Sequence, residues 1–131
     1  MASTLKLNTL TGVSTAGSIA VTGEGNSTTT NLQQGLLKQW CNIKGTSSTE
    51  LLDSFNTTSV TDDATGKTTV AIANDMNNDD YSVTTSAQEN TCVHAHTSMA
   101  TGSYQTQSRG SDDQAFTDVT NFGCQIAGDL A

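Results

Sequence analysis

The sequence predicts an all-β fold: an antiparallel β-sandwich or jelly-roll-like head with an extended N-terminal arm and one short helix. Short segments rich in Thr and apolar residues recur about every ten residues after Trp40, with Gly- or Asp-containing turns between them. Several segments alternate apolar and small polar residues, as half-buried strands do. Only one stretch has helical periodicity. We therefore divide the chain into an arm at 1–30, a helix at 31–40 and a β-rich head at 41–131.

The composition predicts a weak core within one subunit. Thr, Ser, Asn and Gln make up 56 of the 131 residues, Leu, Val, Ile and Phe make up 23, and the net charge is −8. This balance lies near the compositional border of disordered chains, so we expect oligomerisation to supply the missing apolar burial. Five Lys and Arg against thirteen Asp and Glu argue against a nucleic-acid interface. No apolar run is long enough to suggest a membrane-spanning helix.

The arm contains two candidate short strands and many turn-forming residues. Leu5 and Leu7 alternate with polar residues, and Ile19 and Val21 suggest a second short strand. Gly, Ser and Thr fill the rest, which favours turns and extended chain. Because the arm has no core of its own, we expect it to lie along a partner or to remain flexible.

Residues 31–40 (NLQQGLLKQW) give the helix prediction. Three apolar side chains fall at i, i+4 and i+8 on one face: Leu32, Leu36 and Trp40. Thr30 or Asn31 can cap the first turn, whereas Gly35 weakens the helix by about 1 kcal/mol relative to Ala. Ten residues are too few for an isolated helix, so this face requires a partner surface. Trp40 is the first candidate for an interface anchor, and the alternative is that it packs inside its own subunit.

The head is predicted to be a series of short strands. They occupy residues 49–61, 67–73, 81–86, 91–98, 103–108 and 116–126. The segment Asp63–Gly66 carries turn residues between the first two strands, and 74–80 reads as a polar loop. No proline is present to block sheet edges. Edge protection must therefore come from charge, bulges or subunit contacts.

Several blocks of the chain resemble marine bacteriophage tail-fibre-like and capsid-fibre proteins. They are STLKLNTLTGVSTAGSI, NLQQGLLKQW, DSFNTTSVTDDATGKTTVAIANDMNNDDYSV and the ending IAGDLA. The resemblance implies a virion structural protein without catalytic residues, a homotrimer with a β-rich head and an anchoring arm. The stretch CNIKGTSSTELL and the region 89–109 depart from the family pattern. The second departure lies where receptor-facing variation is expected.

The resemblance also implies roles for particular residues. The arm would attach to the particle through its leucines, Leu5, Leu7 and Leu10. The helix face would form the subunit interface through Leu32, Leu36 and Trp40. Tyr104 and Arg109 lie in the divergent region and are candidate receptor contacts, because exposed Tyr and Arg are favoured at interfaces.

The expected function is therefore non-enzymatic. We expect a trimeric fibre or spike module made in the bacterial cytoplasm and exposed on the virion surface, contacting a host glycan or protein. The alternative is a head fibre or decoration protein on the capsid lattice, and the partners in either case are other capsid or tail proteins. A free carbohydrate-binding module is a third hypothesis, from a different functional class. It would need several aromatic platforms, which the sequence does not offer.

The segment Cys92–His96 contains the only candidate for a transition-metal site. In a regular strand His94 and His96 share one face, and in a trimer three copies would bring six imidazoles to the axis, an octahedral set. The alternative is two histidines on a strand that binds no metal, and one H-x-H is a weak signal.

Asp75–Asp79 begins like a calcium loop, but the positions that need Gly and Glu hold Asp80 and Ser86.

The three cysteines lack any C-x-x-C spacing. Cys41, Cys92 and Cys124 are interpreted as small, partly buried apolar residues in a protein made in a reducing compartment. A Cys92–Cys124 bridge between neighbouring strands stays open, because sequence alone cannot decide a pairing.

Overall fold

The structure is a computed structural model. It describes residues 4–12, 19–23, 28–88, 91–112 and 115–131, with the side chains of 91–96 outside the description. The chain comprises two compact units, Met1–Leu36 and Leu37–Ala131. The described residues form ten strands and no helix, and all strand pairs are antiparallel. The prediction of an all-β antiparallel fold is confirmed.

The first unit contains a small two-stranded ribbon. Strand β1 (Ala20–Thr22) pairs with β2 (Thr29–Asn31), and the Leu32 backbone N–H donates to the Ile19 carbonyl at 2.8 Å. The predicted short strand around Val21 is therefore present. Residues 4–12 form no strand, so the strand predicted from the Leu5 and Leu7 alternation is wrong.

The helix predicted at 31–40 does not form. Asn31 does act as a cap, since its Oδ1 accepts from the Gln34 N–H at 3.2 Å. Only one turn follows, with the Gly35 N–H donating to the Asn31 carbonyl at 3.1 Å. The chain then enters β3 (Gln39–Lys44), where Trp40 pairs with strands on both sides. Sheet pairing outweighs a short helical pattern interrupted by glycine, so the face predicted to unite Leu32, Leu36 and Trp40 does not exist.

The second unit is built from two four-stranded antiparallel sheets. Their remaining strands are β4 (Glu50–Phe55), β5 (Thr57–Ala64), β6 (Lys67–Ile72), β7 (Ser82–Ala87), β8 (Thr91–Ala100), β9 (Ser103–Gly110) and β10 (Asn121–Ala127). Sheet I has the order β4-β3-β10-β7, and sheet II has the order β5-β6-β9-β8. Each predicted head strand corresponds to one or two of these strands. The last begins at Asn121 rather than near Phe116.

The two sheets share one hydrophobic core, which gives a sandwich-like arrangement. Alternate residues of β6, β9 and β10 are buried, as the period-two pattern requires. Sheet I and sheet II both contribute to the buried cluster, which contains Cys41, Ile43, Val70, Ile72, Met76, Tyr81, Tyr104, Val119, Phe122, Cys124 and Ile126.

Asn56 alone connects β4 of sheet I to β5 of sheet II. Its backbone has φ = 55°, a left-handed conformation that Asn tolerates better than most residues. Its side chain accepts the Asn74 N–H at 2.7 Å and donates to the Lys38 carbonyl at 2.9 Å. One amide therefore joins the end of β4 to the segments that enter β3 and leave β6.

The β5–β6 hairpin turns at Thr65 and Gly66, in the predicted turn segment. Gly66 has φ = 66°, its N–H donates to Asp118 Oδ1 at 2.7 Å, and its carbonyl accepts the Ser108 N–H at 2.8 Å. A Cβ at this position would lie 2.6 Å from the Ser108 carbonyl oxygen. The turn therefore packs directly against backbone atoms, leaves no space for a Cβ and requires glycine.

Candidate functional site

The outer face of sheet I carries two adjoining open cavities, of about 310 and 380 Å³. Both are lined by Asn42, Ser86 and Gly123, so they meet in the middle of the sheet. We call the combined depression the sheet I groove. Its side chains come from all four strands and the segments beside them: Leu37, Trp40, Asn42, Leu52, Asp53, Thr84, Ser86, Gln88, Asn121 and Gln125 around Gly123.

Strand alternation places these side chains on the outer face. In β3, Gln39, Cys41 and Ile43 are buried, so Trp40 and Asn42 point to the other side. In β10, Phe122, Cys124 and Ile126 are buried, which leaves Gly123 and Gln125 on the groove side. A register shift between β3 and β4 accompanies the exposure of Leu52 at the edge of the groove.

Gly123 forms the floor of the groove. It lies opposite Asn42 on β3 and Ser86 on β7. A Cβ at this position would lie 3.1 Å from Ser86 Oγ and 3.2 Å from Asn42 Oδ1. The side-chain oxygens of two strands therefore surround a space that any other residue would occupy.

An aromatic and amide row crosses one end of the groove. Trp40 lies opposite Phe55 on β4 and opposite Gln125 on β10, and Gln125 lies opposite Thr84 on β7. Phe55 is 54% exposed and Trp40 is half-buried. This end combines flat apolar rings with neutral hydrogen-bonding groups.

Charge is sparse in the groove. Asp53 is the only charged residue among those that line it. Lys44 lies on the same outer face and pairs with Glu50 at 3.9 Å between Nζ and Oε2. Asn121 donates to Gln88 Oε1 at 2.7 Å. The groove is therefore neutral to acidic and rich in amides.

A buried thiol cluster lies behind the groove, on the core side of the same strands. Cys41 and Cys124 are directly opposite each other on β3 and β10, and both are free thiols. The Cys41 Sγ lies 4.0 Å from the Tyr104 hydroxyl, which donates to Gln39 Oε1 at 3.2 Å. Gln39 in turn donates to Thr57 Oγ1 at 2.7 Å. These contacts satisfy the polar groups in the core and link sheet I to sheet II.

The cluster shifts the acidities of its members. The hydrogen bond with Cys124 lowers the pKa of the Cys41 thiol to about 7, although burial opposes this change. The same hydrogen bond, together with burial, raises the pKa of Cys124. Burial raises the pKa of Tyr104 far above its ordinary range. The pair therefore holds one proton tightly between the two thiols.

We expect the stability of the second unit to fall at alkaline pH. In the unfolded chain Cys124 and Tyr104 ionise near pH 9 and 10, whereas in the folded protein they stay protonated. Their stabilisation is complete below pH 9 and falls as the pH rises, by up to about 1.4 kcal/mol per pH unit for each group. The lowered pKa of Cys41 adds stability between pH 7 and 9.

The free energy of unfolding should therefore be greatest near pH 9. Urea titrations from neutral pH upward measure it. The decline above pH 9 should be smaller in Cys124→Ala than in the wild type. An equal decline in both proteins would show that the Cys124 thiol does not contribute.

The structure corrects the predicted recognition pair. Tyr104 is completely buried, so it cannot contact a receptor from the surface of this subunit. Arg109 lies against the Phe116 ring, with its guanidinium carbon 4.1 Å from the ring centroid, and Lys67 lies over the same ring at 4.8 Å. Tyr104 and Arg109 both belong to β9, but the first points into the core.

The predicted metal and cysteine pairs have different outcomes. The side chains of His94 and His96 lie outside the described residues, so the metal site stays a prediction. Their strand has a register shift between Ala95 and Thr97, which interrupts the regular alternation that the prediction assumed. The open Cys92–Cys124 pairing is also corrected, because Cys124 is a free thiol and its strand β10 neighbours β3 and β7, whereas β8 belongs to sheet II.

The remaining predicted residues lie outside the core. Leu5, Leu7 and Leu10 are exposed in the first unit, with Leu5 81% exposed, and Leu36 is exposed in its turn. Trp40 lies on the outer face of sheet I and not in the buried cluster. Particle attachment and subunit contact through these residues stay predictions.

The described part of the chain contains no group of three or more His, Cys, Asp or Glu side chains placed to hold a metal ion. It contains no helix long and apolar enough to cross a membrane.

Sequence reasoning missed the groove. Asn42, Ser86 and Gly123 are far apart in the chain, and β10 brings them together by lying between β3 and β7. The usable signal was local: Gly123 interrupts an alternating strand, and such a glycine often marks a close approach or a ligand.

Comparison with known proteins found no significant match among family models, curated proteins or solved structures.

Proposed function

We propose that this chain is a bacteriophage virion structural protein, a homotrimeric fibre or spike module that contacts the host cell surface. The observation that carries the proposal is the sheet I groove, an open depression with amides and hydroxyls beside the half-buried ring of Trp40. Concave sites with a few oriented polar groups are the usual form of ligand-binding sites. A particle-surface module needs such a face and needs no catalytic set.

The sequence supports the particle-surface part of this proposal. The blocks that resemble phage fibre proteins include both strands of the β5–β6 hairpin and β3's Trp40. The composition, rich in Thr, Ser and Asn with few Lys and Arg, suits a surface exposed to proteases. The buried core residues of the described chain all belong to the second unit. The first unit is then available as an attachment arm.

A head fibre or decoration protein is the second candidate, and a specific observation favours it. Leu5, Leu7 and Leu10 are all exposed within one short segment that forms no strand. Apolar side chains at this density can pack on a capsid lattice, where burial of each leucine contributes about 1.5–3 kcal/mol.

Two measurements test the proposal. Quantitative mass spectrometry of purified particles should detect the chain, in numbers comparable with the major capsid protein for a decoration protein and far lower for a tail fibre. Light scattering of the purified chain should give three times its mass of 13.6 kDa. Absence from particles would overturn the virion role, and a stable monomer would overturn the trimer.

A further inference from the structure

We infer that the sheet I groove is a binding site for an uncharged glycan, with Gly123 as its floor and Trp40 as its stacking surface. The inference rests on the proposed function, because it names the class of ligand through which such a module would contact a cell.

The polar groups of the groove match the hydroxyls of a sugar. Asn42 and Gln125 each provide an amide that both donates and accepts, and Ser86 and Thr84 provide hydroxyls that do the same. Within the described residues none of these four side chains makes a hydrogen bond to another side chain or to backbone. A sugar hydroxyl is likewise both donor and acceptor, so these groups can pair with it in either direction.

Trp40 provides the apolar surface that a sugar ring requires. It is half-buried on the outer face, beside Gln125 and opposite the exposed Phe55. The carbon-bound hydrogens on one face of a pyranose ring form an apolar patch. An aromatic ring flanked by hydrogen-bonding groups contacts that patch while the hydroxyls at the ring edge reach the amides.

The charge of the groove selects against anionic ligands. Asp53 lies in its lining, and Lys44, the nearby cation on this face, pairs with Glu50. The whole chain has a net charge of −8. Among the described residues that line the groove, no cation is present to receive a phosphorylated, sulfated or carboxylated ligand. The charge of the groove therefore favours an uncharged glycan over an anionic one.

The dimensions fit a short oligosaccharide. The groove crosses four strands, and three interstrand spacings of about 4.8 Å give a length of about 14 Å. Its two cavities of about 310 and 380 Å³ fall within the usual range of small-ligand sites, about 300–1,000 Å³. Asn42, Ser86 and Gly123 lie where the cavities meet, so the central sugar would rest on Gly123.

The test uses the full chain on immobilised oligosaccharides. The probes are neutral hexose and N-acetylhexosamine oligomers, with sulfated and uronic-acid oligomers for comparison. Gly123→Ala fills the floor, and Trp40→Ala removes the ring. We expect wild-type binding to neutral oligomers and at least a tenfold loss in both variants. The matched control, Thr61→Ala, changes an exposed residue of β5 in sheet II and should bind as the wild type does.

Gly123→Ala separates binding from folding. The close contacts of the new Cβ, at 3.1 and 3.2 Å, are with the ends of two flexible side chains, and the Cys41 carbonyl oxygen lies at an ordinary contact distance of 3.6 Å. Ala is also better than Gly within a strand. Its melting temperature should therefore match or exceed that of the wild type. A loss of binding at unchanged melting temperature supports the site.

Other outcomes overturn the inference. They include wild-type binding to no oligomer, binding to anionic oligomers only, and undiminished neutral binding by both variants. If either variant dissociates the oligomer, the face is a contact between copies and not a glycan site. The copy number on particles does not depend on any of these results, so failure of the glycan site and failure of the virion role are distinguishable.

Discussion

Replacing Tyr104 with Ala is expected to lower the free energy of unfolding by about 4 kcal/mol, the usual cost of truncating a buried aromatic residue. Tyr104 is completely buried in β9 and packs edge-on against Tyr81 with ring centroids 6.3 Å apart. The truncation leaves a cavity between the sheets and removes the hydroxyl that donates to Gln39 at 3.2 Å. Urea denaturation followed by fluorescence of Trp40 measures the change.

Tyr104→Phe is the matched control for the hydroxyl. It keeps the ring but removes the group that donates to the buried side-chain oxygen of Gln39, Oε1. A buried acceptor left unpaired costs about 1–3 kcal/mol. The Phe variant should therefore lose less stability than the Ala variant. Equal losses would show that the hydrogen bond, and not the packing of the ring, dominates.

Gly66→Ala is expected to destabilise the second unit by about 3 kcal/mol. The residue has φ = 66°, which costs a non-glycine residue about 1–2 kcal/mol. Its Cβ would also lie 2.6 Å from the Ser108 carbonyl oxygen and 2.8 Å from the Thr117 nitrogen. These are backbone atoms of packed segments, so they cannot move aside as a flexible side chain can, and overpacking adds about 1–3 kcal/mol.

Gly123→Ala is the control for Gly66→Ala. Both add one methyl group, but at Gly123 the close contacts are with side-chain ends, the nearest backbone atom lies 3.6 Å away, and the φ is not left-handed. Thermal unfolding of the two variants should therefore give a large decrease for Gly66→Ala and none for Gly123→Ala. A small effect at Gly66 would mean that the turn can shift away from Ser108 and Thr117.

The strands were predictable because their signals are local. Val70 and Ile72 alternate with Thr69 and Ala71, and the Thr65–Gly66 turn lies directly before them. The helix at 31–40 was predicted for an equally local reason, the spacing of Leu32, Leu36 and Trp40. It fails because β3 is a central strand with partners on both sides. A pattern confined to ten residues does not show which distant strands will pair with the segment.

The groove and the thiol cluster were not predictable, because both depend on which strands become neighbours. Cys124 lies opposite Cys41, and Gly123 lies opposite Asn42, only because β10 pairs with β3. Tyr104 was predicted to be an exposed receptor contact because it lies in the region that departs from the family pattern, near Arg109. The alternation of β9 instead turns Tyr104 inward, with Thr106 and Ser108 on the same side. Which face of a strand is buried depends on the sheet that packs against it.

The central place of β10 also bears on how the second unit folds. The hairpins β5–β6 and β8–β9 join strands that are adjacent in sequence, so they can form early. Sheet I is different, because β3 ends at Lys44 and its neighbour β10 begins at Asn121. Bringing these two strands together lowers the conformational entropy of the long segment between them before any contact between the strands offsets that cost. Until β10 arrives, β3 and β7 present unpaired edges, so sheet I is complete only when this strand has joined it.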